Sequence, residues 1–204
     1  MAAAEDAIIV IDDFLQNPHE LREHGIKAEY PTYPDMPHFP GRNSMRRFGV
    51  PGLDESVVEI TGQKVGPNLN SAHAKFRLCY ADEVGKSGVH IDNCHWTGVL
   101  YLSLGEREES GTEFFRHLPT STLRAPVYEE DWAAWGHRSI ERLWDETINP
   151  HTNDRSKWEL VRRVPMKFNR LVLFQPWRWH NAGLGFGDRP DNARLIYLLS
   201  YHQA

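Results

Sequence analysis

Cysteine is almost missing from this chain: Cys79 and Cys94 are the only two among 204 residues. That excludes a disulfide framework and suits a reducing compartment. No apolar run approaches the roughly 18 residues a membrane span needs. The opening "MAAAEDAIIVIDDF" has no basic leader and acidic residues break its apolar stretch, so no secretory signal is expected and a cytoplasmic protein is. Positive charge is also short, with 23 Lys and Arg against 28 Asp and Glu, a formal −5. Wholesale phosphate-backbone binding wants a basic surface, so neither nucleic acid nor membrane is an expected partner. Internal repeats and low-complexity tracts are absent.

What is there reads as one domain over residues 1–204, with a hydrophobic fraction of 40% that is ordinary for a globular protein. "AIIVIDDFL" (7–15) suggests a strand. "NPHELREHGIKAEY" (17–30) suggests a helix opened by Asn17 and Pro18. A proline-rich loop (31–49) leads to a second helix in "LDESVVEITGQKVG". After residue 70 the texture becomes short β-type segments at 73–81, 97–103, 111–117, 170–175 and 193–201. A long insert, 119–166, separates the third from the fourth. Its "EEDWAAWGHRSIERLWDE" has helical spacing, and Trp132, Trp135, Trp144 and Trp158 are expected to pack on the sheet. Residues 1–70 would support a core formed by 71–201. The fold class expected is mainly β with supporting helices, a jelly roll or barrel.

His90 and Asp92 stand two positions apart, so on an extended segment both leave the same face and can serve one cation. The triplet alone says little. With 11 histidines and 28 acids in the chain, chance gives about one or two His-x-acid triplets, and a capped turn or surface ion pair explains it equally well. Context comes from "NRLVLFQPWRWHNAGLGFGDRPDNARLIYLLSY". There His180 follows an apolar strand, and Arg194 opens the last one, where a guanidinium is odd unless it meets an anion. Two histidines and a carboxylate form the facial triad that leaves sites open on Fe(II). An inward arginine can grip a dicarboxylate through a bidentate fork. A core histidine and a solvent-turned edge arginine are the plainer explanations of those two residues.

Taken together, "FRLCYADEVGKSGVHIDNCHWTGVLYLS", "SGTEFFRH", "NRLVLFQPWRWHNAG" and "ARLIYLLSY" resemble the prolyl-hydroxylase-like branch of the Fe(II)/2-oxoglutarate-dependent dioxygenases. The likeness is nearest to a largely uncharacterised bacterial group. It spans residues 73–201, is weakest over 119–166, and is joined by the lead-in "DDFLQNP". It implies a double-stranded β-helix, an iron held by His90, Asp92 and His180, and Arg194 on the distal carboxylate of 2-oxoglutarate. Tyr80, which shares a face with Phe76 and Leu78, and Tyr101 are candidates to reach that co-substrate. Two departures stand out. Ile196 replaces a serine found in some relatives, and the His180–Arg194 spacing is long, which leaves Arg189 as a rival anchor.

Such a resemblance implies coupling of 2-oxoglutarate decarboxylation with O2 to hydroxylation of an unactivated C–H bond. Asp92 argues against halogenation, since related halogenases vacate that position for chloride. The expected substrate is a small molecule, an amino acid or derivative. A peptide or protein residue is the alternative, as is a cupin-type metalloenzyme that never uses 2-oxoglutarate. Trp96, His95, Trp177 and Trp179 flank the ligands and are candidate pocket walls. Arg42, Arg46 and Arg47 form a basic cluster, with Arg42 and Arg47 the candidates to meet a substrate carboxylate.

Overall fold

The computed structural model describes residues 7–126 and 128–204; the first six residues of the opening "MAAAEDAIIVIDDF" lie outside them. In chain order the elements are β1 (Ile8–Ile11), α1 (Pro18–Lys27), β2 (Arg42–Asn43), α2 (Leu53–Thr61), β3 (Val65–Pro67), β4 (Lys75–Cys79), β5 (Trp96–Tyr101) and β6 (Glu106–His117). Then come α3 (Glu129–Ala134), α4 (Ile140–Leu143), a π-helical turn (Trp144–Ile148), α5 (Asn149–His151), β7 (Trp158–Lys167), β8 (Leu171–Phe174), β9 (His180–Ala182) and β10 (Arg194–Gln203).

Two antiparallel sheets enclose the interior. The larger has the order β1-β8-β5-β10-β4-β2, with β3 added at the far end of β10, and the smaller has the order β7-β6-β9. This is the mainly-β jelly roll with helical support that the pattern predicts. Helix α1 starts with Pro18, whose missing N–H is one a first turn leaves unpaired anyway. Helix α2 ends at Gly62 in the left-handed conformation, where glycine has no Cβ penalty.

Strand alternation sorts the core into two layers. On β5 and β10, Trp96, Leu100, Leu195, Tyr197, Leu199 and Tyr201 pack toward the helices, with Leu21 of α1 and Val57 of α2. The intervening residues Val99, Tyr101 and Ile196 point between the sheets, against Val172, Phe174, Phe114 and Met166. All six residues of β5 are therefore buried, which is why this strand reads as an unbroken apolar run.

The insert is shorter than expected. Its last part is β7, paired along β6 through two register shifts. Its exposed residues mix charge, Glu159 and Arg162, with Leu160 and Val161, and Arg163 meets Glu113 at 2.7 Å while Arg116 meets Glu159 at 3.1 Å. That mixture has no clean alternation, and the strand's partner lies some 50 residues away in sequence. The helical part packs Leu143, Ile148 and Trp158 with Trp179, and Trp132, Trp135 and Trp144 border that cluster.

Candidate metal centre

The segment carrying His90 and Asp92 is not itself a regular strand; it runs between β4 and β5. It is fixed by a two-way backbone bridge in which His90 N–H donates to the His180 carbonyl at 2.9 Å and receives the reverse bond at 3.1 Å. Residues so paired send side chains to one face, and the two imidazole rings lie 4.4 Å apart. Asp92 completes the group. Its Oδ1 is 3.8 Å from His90 Nε2 and its Oδ2 is 3.4 Å from His180 Nε2. Three ligand atoms from these residues fall within 4.8 Å of one another.

Each imidazole is held in one tautomer. His90 Nδ1 lies 2.8 Å from the Gly88 carbonyl and His180 Nδ1 lies 2.8 Å from the Arg178 carbonyl. A carbonyl only accepts, so both Nδ1 atoms carry a proton and both Nε2 atoms face the centre. Burial, reinforced by the neighbouring His180, pushes His90 down to about 3 and keeps it neutral. Burial works against the charge on Asp92, but His180, His90 and the Thr97 hydroxyl outweigh it and hold the carboxyl well below its usual range. Thr97 Oγ1 donates to Asp92 Oδ2 at 2.7 Å. Two inward imidazoles and one ionised carboxylate form a donor set that fits a divalent first-row metal.

The centre opens on a cavity of about 590 Å3 between the sheets. At its inner end Arg194 is 2% exposed, with Nε donating to the Ser110 carbonyl at 2.8 Å. Tyr101 lies beneath, its ring 5.8 Å from the guanidinium carbon and its hydroxyl 2.6 Å from Thr112 Oγ1. Arg189 is exposed in the turn, paired with Asp191 at 3.3 Å, and does not line this cavity.

A residue missed in the sequence lines it instead. Arg77 on β4 faces the same space, its Nε bonded to Asn43 Oδ1 at 2.7 Å and its carbon 5.3 Å from the Phe39 ring. Burial lowers its pKa to about 10, and Asp92 counteracts that. Among the described residues, neither Arg77 nor Arg194 has a carboxylate of the chain within 4.0 Å. The signal was available: an arginine inside the apolar "KFRLC" is as odd as one opening β10.

Several expected neighbours lie elsewhere. Tyr80 shares its face with Phe76 and Leu78, but that face joins the helix-side core. Alternation thus turns Tyr80 away from the cavity and Arg77 toward it. Arg42 pairs in register with Leu78 on the same outer side and bonds Glu83 at 2.7 Å. Arg47 is spent on backbone carbonyls of Leu69 and Ser71, at 2.7 and 2.8 Å, and of His73. Trp96 is fully buried under α2 and donates to Gln63 Oε1 at 2.8 Å. Trp179 is fully buried among the insert tryptophans. His95 also turns to Gln63, at 2.9 Å. Of the aromatic candidates only Trp177 lines a cavity beside His90 and Asp92.

The chain is thus a jelly-roll domain with an inward His-Asp-His group that could hold a metal ion and an interior arginine beside it. The chain belongs to DUF6445, described as a family of unknown function, whose model matches residues 1–195. No curated protein matches it significantly. Among solved structures it is similar to SnoN, a non-haem α-ketoglutarate-dependent epimerase from nogalamycin biosynthesis. The identity is 13% and the TM-score 0.57, over 98% of this chain and 80% of that one. It is also similar to a prolyl hydroxylase from Trichoplax adhaerens in complex with a hypoxia inducible factor peptide fragment. Here the identity is 13% and the TM-score 0.50, over 97% of this chain and 84% of the other. Such likeness establishes a shared fold. Among the described residues no helix is long and apolar enough to cross a membrane.

Proposed function

We propose that this protein is a non-haem Fe(II)/2-oxoglutarate-dependent oxygenase of the prolyl-hydroxylase-like branch that hydroxylates a C–H bond of a small molecule, an amino acid or derivative. The observation that carries the reading is the pairing of two inward Nε2 atoms and one carboxylate with a buried guanidinium, Arg194, and a half-buried one, Arg77, which among the described residues lack a carboxylate of their own. His90, Asp92 and His180 would hold iron, leaving one face of the metal for other ligands. Arg194 would hold the distal carboxylate of 2-oxoglutarate, and Tyr101 keeps that guanidinium in place. Arg77 supplies a second positive charge for a dianion. When bound, iron and 2-oxoglutarate supply, with O2, the oxidising power for hydroxylation.

The remaining groups set up the centre. Thr97 fixes the Asp92 carboxylate, and the Phe39 and Phe174 rings, 4.4 and 4.7 Å from His90 and His180, exclude water from the imidazoles. A cupin-type enzyme that ignores 2-oxoglutarate has no use for Arg194. Anaerobic addition of Fe(II) and then 2-oxoglutarate is expected to give the weak visible charge-transfer band of their chelate, lost in His180→Ala. A folded wild-type protein that binds Fe(II) without that band would refute the proposal and favour the cupin reading.

A further inference from the structure

A second cavity, of about 670 Å3, shares His90, Asp92, Asn93 and Cys94 with the first. Its volume falls in the range of small-molecule sites. The insert builds one wall: Ile140, Trp144 and Ile148 line it from a helical run spanning α4 and the π-helical turn. Residues four apart share a helix face, and π-turns recur at functional sites. Trp177 and Ile91 line the same space, so one wall of the cavity is apolar, while Ser87, Asn149 and Thr152 add polar groups elsewhere. Asp92 is the one acid lining it, and that carboxylate is committed to the metal centre. Lys86 lines it as well and is exposed, and among the described residues it has no ion pair.

We propose that this cavity takes the organic substrate, a small molecule with an apolar, ring-sized body against Ile140, Trp144 and Trp177 and one carboxylate met by Lys86. The inference rests on the oxygenase reading and narrows it to apolar carboxylic acids. An uncharged polar substrate would leave the indole and isoleucine walls poorly matched and Lys86 without an anion.

The test uses the full chain loaded with Mn(II) and 2-oxoglutarate, with 3-phenylpropionate and its primary amide as probes. Line broadening of the probe protons by Mn(II), followed by NMR, reports binding beside the metal without turnover. The acid is expected to bind about fivefold more tightly than the amide, a difference of the size a rim charge gives. Lys86→Gln is expected to bring the acid down to the amide, and Ile140→Glu to abolish broadening of both while 2-oxoglutarate still binds. Lys86 is exposed, so its variant keeps the test usable should Ile140→Glu disturb the insert. No broadening at millimolar probe, equal affinity of acid and amide, or unchanged binding in Ile140→Glu would each overturn the proposal. Failure of 2-oxoglutarate to bind the Mn(II)-loaded wild type would instead overturn the oxygenase reading.

Discussion

Replacing Arg194 by methionine tests the co-substrate anchor most directly. The side chain is 2% exposed; its Nε donates to the Ser110 carbonyl, Tyr101 lies against it, and among the described residues it has no carboxylate partner. A carboxylate received by its terminal nitrogens forms two charge-assisted bonds. Each such bond contributes about 1.5–3 kcal/mol, so losing both costs at least about 3 kcal/mol. At 1.4 kcal/mol per decade, that weakens 2-oxoglutarate binding by about 100-fold or more. Loss of the Ser110 bond costs about 1 kcal/mol of stability, a small part of the roughly 5–15 kcal/mol that holds a domain together. Methionine keeps most of the volume, so the variant is expected to fold. Anaerobic isothermal titration of the Mn(II)-loaded protein with 2-oxoglutarate measures the effect. Arg189→Ala, altering an exposed turn residue, is the matched control and is expected to change affinity by less than about twofold. An Arg194→Met protein that binds within about threefold of the parent, or an Arg189→Ala protein that loses binding, would refute the reasoning.

Three further outcomes are expected. Thr97→Val removes the hydroxyl that holds Asp92 Oδ2, and Fe(II) affinity should fall about tenfold; competition with a chromophoric chelator checks it, and unchanged affinity contradicts it. At Gly88 an added Cβ would lie 2.4 Å from the Thr152 carbonyl oxygen, so Gly88→Ala must push the insert away from the His90 segment. That should cost about 1–3 kcal/mol and weaken metal binding, visible as a lower melting temperature. The metal-free protein should lose stability in acid through His90. Its folded pKa, about 3, lies below the unfolded value of about 6.5. The unfolded state therefore binds the extra proton, and stability is full above about pH 6.5 and declines as pH falls toward 3. Urea melts at pH 7 and pH 4.5 should differ by up to about 2.5 kcal/mol more in the parent than in His90→Gln; equal differences would exclude the effect.

Much of the fold was legible in the chain. The short β-type segments mark β4, β5, β6, β8 and β10, and Asn17-Pro18 marks the start of α1. β7 was not legible, because its exposed residues mix charge with Leu160 and Val161 and so break the alternation, and it pairs with β6 across the insert. At the site, His90, Asp92, His180 and Arg194 could be picked out by residue type and position. Their neighbours could not. β4 is covered on both sides, by helices on one and by the cavity on the other, so alternation separates Phe76, Leu78 and Tyr80 from Arg77 and Cys79 without saying which set looks inward. Arg42 was a candidate through its basic cluster, and clustering carries no strand register; the pairing with β4 puts Asn43 at the cavity instead.

The sequence by itself determined the element types, the mainly-β class and the chemistry on offer: imidazoles, a carboxylate and arginines set in apolar strands. Local periodicity and residue chemistry suffice for that. Only the tertiary structure decided that His90 and His180 meet through a backbone bridge, that Arg77 rather than Tyr80 faces the cavity, and that the insert walls a second one. Those relations depend on which face the helices cover and on contacts between segments about 90 residues apart, which no local pattern encodes.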